Sequence, residues 1–117
     1  MIEVTSAFQR GPAYQYIRKA DKLPTYDQLS EADGHTFDNI VCRVRLFNPT
    51  GVGTWWIAAF DPETEIAWGV AEIECREVGS FSMQELVEFR GLFGLPIERD
   101  CHYRPMTIAA IVNGEGR

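Results

Sequence analysis

Thr54-Trp55-Trp56-Ile57-Ala58-Ala59-Phe60, then Asp61-Pro62-Glu63-Thr64, then Ile66-Ala67-Trp68-Gly69-Val70-Ala71-Glu72 is the stretch whose reading decides the fold. The first run is apolar at every position from Trp55 onward, so neither side of it suits water, and it reads as a central strand covered on both faces. Asp61-Pro62 has the placement of a type I turn, with Asp opening the turn and Pro second. The return strand, read as 66–74, sets Ala67, Gly69 and Ala71 on one face. Ile66, Trp68 and Val70 take the other, continued by Glu72 and Glu74. An antiparallel hairpin follows, and the small side chains of one face leave room for a helix lying on the sheet.

Outward from this hairpin the pattern continues. Residues 41–47 alternate, with Cys42, Val44 and Leu46 facing one way and Arg43 and Arg45 the other, before Asn48-Pro49-Thr50-Gly51 breaks the strand. Downstream, Ser82-Met83-Gln84-Glu85 reads as a capping box. It opens a helix over 82–90 with a Met83, Leu86, Val87 stripe, and Gly91 closes it. After the Gly94-Leu95-Pro96 turn, residues 97–104 alternate as a strand, and a short apolar helix spans 107–112. Upstream, Thr25 and Gln28 form another capping box for a helix over 25–33 that Gly34 ends. The expected architecture is α+β: an antiparallel sheet of four to five strands, one main helix on one face and short terminal helices. Residues 1–23 form a docked arm or a short strand, 24–112 the domain and 113–117 a frayed tail.

At 117 residues the chain fits one domain. No run approaches the about 20 apolar residues of a membrane span. The first residues lack the basic and apolar regions of a signal peptide, so a cytoplasmic protein without membrane contact is expected. The three cysteines, at 42, 75 and 101, are odd in number and form no C-x-x-C pair, which suits small hydrophobes in a reducing compartment. Net charge is −6, but the acidity is local: residues 61–88 hold eight acids against Arg76 alone. That balance speaks against a nucleic-acid groove, where cations must displace counterions. Solubility alone would also account for it.

Alternation over 97–104 gathers Glu98, Asp100, His102 and Arg104 on one face. Such a set can perform acid–base chemistry, and a solvated strand face with cross-strand ion pairs looks the same. Cys101 and His102 point to opposite faces and His35 has no ligand spacing to either, so no metal is expected. Gly51-Val52-Gly53 is too short for a phosphate loop. Ser80 and Ser82 lie outside any nucleophile elbow. No cofactor is expected. Trp55 and Trp56 face opposite ways, so at least one leaves the main core, and an exposed one would be a partner contact or the seam of a homodimer. The run Arg90 to Asp100, with two glycines, a proline and four charges, reads as a specified turn locked by Arg–carboxylate pairs; Arg90 also suits a helix C-terminus.

That run carries a resemblance. Leu46-Phe47-Asn48-Pro49, Gly53-Thr54-Trp55, Phe60-Asp61-Pro62-Glu63, Gly79-Ser80-Phe81-Ser82, Glu85-Leu86 and the string Arg90-Gly91-x-x-Gly94-Leu95-Pro96-x-Glu98-Arg99-Asp100 are similar to the bacterial domain-of-unknown-function family 2958, over about residues 41–105. The resemblance implies a small single-domain protein of plasmids, integrated elements or phages, and no activity. Leu92-Phe93 stands where relatives commonly read Pro-Leu, a difference expected to reflect packing. Residues 1–35 depart from the family's short lead-in, although Thr25-x-x-Gln28-Leu29 is similar to its helical opening.

The first functional reading is a non-catalytic protein-binding or regulatory module. Its contact candidates are Trp55, Trp56, Glu72, Glu74, Glu77, Arg90 and Arg99, and its acidic face suits competition for a DNA-binding protein. The alternatives are a small enzyme using Glu98, Asp100 and His102, and a weak nucleic-acid binder using Arg43, Arg45 and an exposed Trp.

Overall fold

The structure, a computed structural model, describes residues 16–32 and 38–114. The sequence readings at residues 1–15, at Gly34 and His35, and at the end of the frayed tail lie outside the described residues. The strands are β1 (Val41–Cys42), β2 (Val44–Phe47), β3 (Thr54–Asp61), β4 (Ile66–Glu72), β5 (Arg76–Ser82), β6 (Glu98–Arg99) and β7 (Met106–Thr107). The α-helices are α1 (Tyr26–Ala32), α2 (Met83–Glu88) and α3 (Ile108–Val112). One antiparallel sheet has the order β5-β4-β3-β2-β6, and β1 pairs with β7 in a separate ribbon. The α+β class and the five-stranded sheet agree with the sequence reading.

β3 is central, and both its faces are covered. Trp55, Ile57 and Phe60 join Val44, Leu46, Ala67 and Ile97 in one core, roofed by Tyr16 and Ile17 of the N-terminal segment and by Met83 and Leu86 of α2. Trp56, Ala58 and Ala59 join Cys42, Trp68 and Val70 in the other, under Ile108 and Ile111 of α3 with Leu29 of α1 packed at its margin. Strict alternation would put Trp55, Ile57 and Phe60 on different faces. A bulge resolves this: Ile57 pairs with Gly69 and Ala59 with Trp68, so Ala58 has no opposite residue and the parity resets. Gly69 is the residue this geometry needs. A Cβ there would press into the Trp56 carbonyl and the Ala58 amide, both backbone groups that cannot yield.

The N-terminal segment ties the two cores together. Tyr16 and Ile17 are buried, and the Tyr16 hydroxyl donates to the Ile97 carbonyl at 2.7 Å. Arg99 grips this segment from β6, with Nη1 and Nη2 each 2.8 Å from an Asp21 carboxylate oxygen and Nη1 also 2.8 Å from the Tyr16 carbonyl. Beyond Ile57, β3 has outrun β2, and the Phe60 amide donates instead to the Pro24 carbonyl at 2.9 Å. The chain thus passes from one face to the other at the end of β3 and enters α1 through the predicted capping box. The Thr25 amide meets Gln28 Oε1 at 2.9 Å, and the Gln28 amide meets Thr25 Oγ1 at 3.2 Å.

Three sequence readings need correction. Among the described residues no helix is the main one: α2 has six residues, because Phe89 turns to extended backbone and the Arg90 guanidinium takes the Val87 and Phe89 carbonyls. The strand over 97–104 stops at Arg99, because the Asp100 carboxylate accepts the His102 amide at 2.9 Å and folds the chain into a turn. Residues 76–81, to which the sequence reading assigns no element, form with the cap residue Ser82 the strand β5, pairing with β4 from Glu72↔Arg76 to Ile66↔Ser82.

Gly69→Ala is expected to lower stability by about 2–3 kcal/mol, the scale of an overpacked core, in a urea titration. The Asp21 carboxyl is pushed up by burial, but the Arg99 bonds and the Arg18 amide outweigh this and hold it below its ordinary value of 3.8. A lowered folded pKa stabilises the fold above the unfolded value, and the contribution disappears as pH falls through the folded value. Asp21→Asn should therefore destabilise at pH 7 by about 1–2 kcal/mol. The gap from wild type should narrow below about pH 4, as read by unfolding midpoints across pH.

Candidate functional site

Most of the sequence-predicted site residues hold the fold together. Trp55 and Trp56 are both buried, one in each core, because covers on both faces leave neither exposed. Trp56 lies between two cations, with the Arg76 guanidinium 4.7 Å and that of Arg45 5.7 Å from its ring centre. Arg45 also pairs with Asp100 at 3.0 Å, and Arg76 pairs with Glu72 at 3.0 Å while bonding the Ile111 carbonyl of α3. Arg99 is committed to Asp21, whose carboxylate holds the guanidinium pKa up. Glu74 is exposed in the β4–β5 turn, and Glu77, in β5 opposite Ala71, lies on the other face of the sheet from Glu72, so the three predicted acids do not form one face.

Glu98, Asp100 and His102 are not assembled as an acid–base set. Asp100 is engaged by Arg45 and by the His102 amide, while the Glu98 and His102 side chains stand exposed. Two of the three thiols are unsuited to nucleophilic work. Burial pushes Cys42 up to about 12, and the Glu77 carboxylate beside the exposed Cys75 raises that thiol too, so both stay protonated at neutral pH. Tyr103 is likewise raised, chiefly by burial, while its hydroxyl donates to the Cys42 carbonyl and accepts the Met106 amide. Among the described residues no three His, Cys, Asp or Glu side chains gather as a metal site requires. None of the described helices is long and apolar enough to cross a membrane.

Two surface features remain. The first is the turn that carries the R-G-x-x-G-L-P string. The Thr50 hydroxyl donates to Asn48 Oδ1 at 3.1 Å and accepts the Leu92 amide at 3.1 Å, so the Asn48–Gly51 loop and the turn form one unit. Gly91 is required here by close approach, since a Cβ would strike the Thr50 hydroxyl. Leu92 and Phe93 are not a packing change: Phe93 is 90% exposed and sits at φ 60, a left-handed conformation costing a bulky residue about 1–2 kcal/mol.

The second is a cleft of about 500 Å³ between the start of α1 and the β3–β4–β5 surface. Tyr26 and Trp68 line it with ring centres 5.1 Å apart, and its polar rim carries Thr25, Asp27, Asp61, Thr64 and Ser80. Among the described residues Asp27 and Asp61 are its only charged lining groups, so this lining is acidic as well as aromatic. It was missed in the sequence because its lining comes from four elements; the one available signal was Trp68 standing on the face opposite the small residues.

Fold and surface together define a small α+β domain with an antiparallel sheet covered on both faces. The family described as protein of unknown function (DUF2958) matches residues 18–112, and the chain belongs to it. The match begins earlier than the resemblance over 41–105, as the integral position of the 16–32 segment explains. No curated protein and no solved structure matches the chain.

Thr50→Val keeps the shape of the loop but removes the hydroxyl that joins it to the turn. It is expected to destabilise by about 1 kcal/mol and to speed hydrogen exchange at the Leu92 amide more than at β3 amides, read by NMR.

Proposed function

We propose that the chain is a non-catalytic protein-binding module that recognises a basic segment of its partner through the cleft between α1 and β3–β5. The observation that carries this reading is the lining: Asp27 and Asp61, with no cation among the described lining residues, beside the rings of Tyr26 and Trp68. Carboxylates attract a guanidinium or ammonium group, and aromatic rings hold it by cation–π attraction, by about 0.5–2 kcal/mol depending on desolvation. The local acidity of residues 61–88 adds a longer-range pull that speeds encounter with a basic partner. Blocks of Lys and Arg are typical of the arms of nucleic-acid-binding proteins, so the module would compete with nucleic acid for such an arm. A plasmid, integrated element or phage is the setting in which that competition is proposed to act.

The nucleic-acid alternative finds less support, since Arg45 is engaged by Asp100 and Trp56, leaving Arg43 as the exposed member of that pair. The enzyme alternative has no convergence of Glu98, Asp100 and His102 on the cleft.

Anisotropy of a fluorescein-labelled peptide of four arginines spaced by Gly and Ser provides the test. Asp27→Lys should weaken binding by about fivefold. Glu88→Lys makes the same change in net charge on α2, outside the cleft lining, and should stay within about twofold. Equal losses in the two variants, or no binding to the unaltered chain, would overturn the reading.

A further inference from the structure

The outer edge of β5 adds a second recognition element to the cleft. β5 is the last strand of the sheet on that side, seven residues long, and pairs with β4 without a register shift. No strand of the described residues covers its other edge. Exposed edges are normally blunted by Pro, Lys, a bulge or a short length. β5 has none of these, and its charged residues, Arg76 and Glu77, stand at its start, leaving Val78 to Ser82 uncharged. The opposite edge, β6, has two residues and offers no comparable template.

The register fixes which groups of β5 point outward. The Met83 amide bonds the Glu65 carbonyl, so the hydrogen-bonded positions against β4 run through Phe81, Gly79 and Glu77. The amides and carbonyls of Val78 and Ser80 therefore point away from β4, along the free edge. Ser80 pairs with Trp68 and Val78 with Val70, so their side chains share the face on which Trp68 lines the cleft. Gly79 and Ser80 form the cleft's rim, on the strand that ends the sheet among the described residues. A chain pairing with Val78 and Ser80 lies about 4.8 Å further out. Its residue opposite Ser80 projects on the cleft side, where a long side chain passes over Ser80 toward the Trp68 and Tyr26 rings.

We infer that an extended segment of the partner adds to β5 as a sixth, edge strand and lays one Arg or Lys side chain over Ser80 into the cleft. Main-chain pairing gives affinity, and the acidic, aromatic cleft selects the charge. The occupant is a basic extended segment because the charged lining groups among the described residues are both acidic and the nearby Glu74 and Glu77 are exposed acids. This inference rests on the protein-binding reading above.

The test uses the full chain and a labelled nonapeptide of Thr and Val with one central Arg. Companion peptides carry a central Glu, or N-methyl groups on the amides that would meet β5. Binding of the Arg peptide should shift the Val78 and Ser80 amides in NMR spectra and slow their exchange. The N-methylated and Glu peptides should each bind about tenfold more weakly. If the N-methylated peptide binds as tightly as its parent while Asp27→Lys still weakens both, strand addition is overturned and the cleft reading stands. If the Arg and Glu peptides bind alike and Asp27→Lys has no effect, the cleft reading falls too. No shift at Val78 and Ser80 with millimolar peptide also overturns the inference, as does sedimentation showing a dimer that buries β5.

Discussion

The fold depends on a strand that cannot face water on either side. From Trp55 to Phe60 every side chain of β3 is buried, and burying each large one is worth about 1.5–3 kcal/mol. Both faces of the sheet must therefore be covered, and a chain of this length has little material for the task. The covers are consequently short: three helices of five to seven residues, a crossing N-terminal segment and a two-stranded ribbon. Helices so short are marginal in isolation. They persist because Met83, Leu86, Ile108 and Ile111 are set into the two cores and because Thr25, Ser82 and Thr107 cap them.

The same constraint explains where the cations went. Bulky rings on β3 leave edges that need polar cover, and Arg45 and Arg76 supply it by lying over Trp56 while their charges meet Asp100 and Glu72. Arg99 holds the N-terminal segment through Asp21. Three arginines are thus spent inside the structure, each paired with an acid. The net charge of −6 is left to surface acids, of which Asp27 and Asp61 look into the cleft.

What was legible in the sequence was local. The apolar run at 54–60, the Asp61-Pro62 turn and the Thr25–Gln28 box each carry their own physical signal, and the structure has all of them. The Asn48–Gly53 loop and the R-G-x-x-G-L-P string were each seen as turns, but their union through the Thr50 hydroxyl was invisible, being a contact between residues 42 positions apart. β5 was missed because Val78-Gly79-Ser80 has no alternation, and only pairing with β4 makes it a strand. The strand read over 97–104 failed for the converse reason: its alternation is genuine, but Asp100 prefers to bond the His102 amide. Trp55 and Trp56 were expected to divide between core and surface. They divide between two cores, which the two-sided apolarity of β3 already required.

The cleft is a further consequence of scarce cover. α1 reaches its face of the sheet only after Pro24 has been tied to Phe60 at the far end of β3, so the helix begins over β3. α3 covers the other end of the same face through Ile108 and Ile111, anchored by Arg76 on the Ile111 carbonyl. Between them the β4–β5 corner, with Tyr26 of α1 on Trp68 and Ser80 at its edge, has no strand beside it among the described residues. A larger domain would close such a corner with another element. Here the corner keeps its aromatic floor, an acidic rim and a free strand edge in one place, and those are the parts an extended basic chain needs in order to dock.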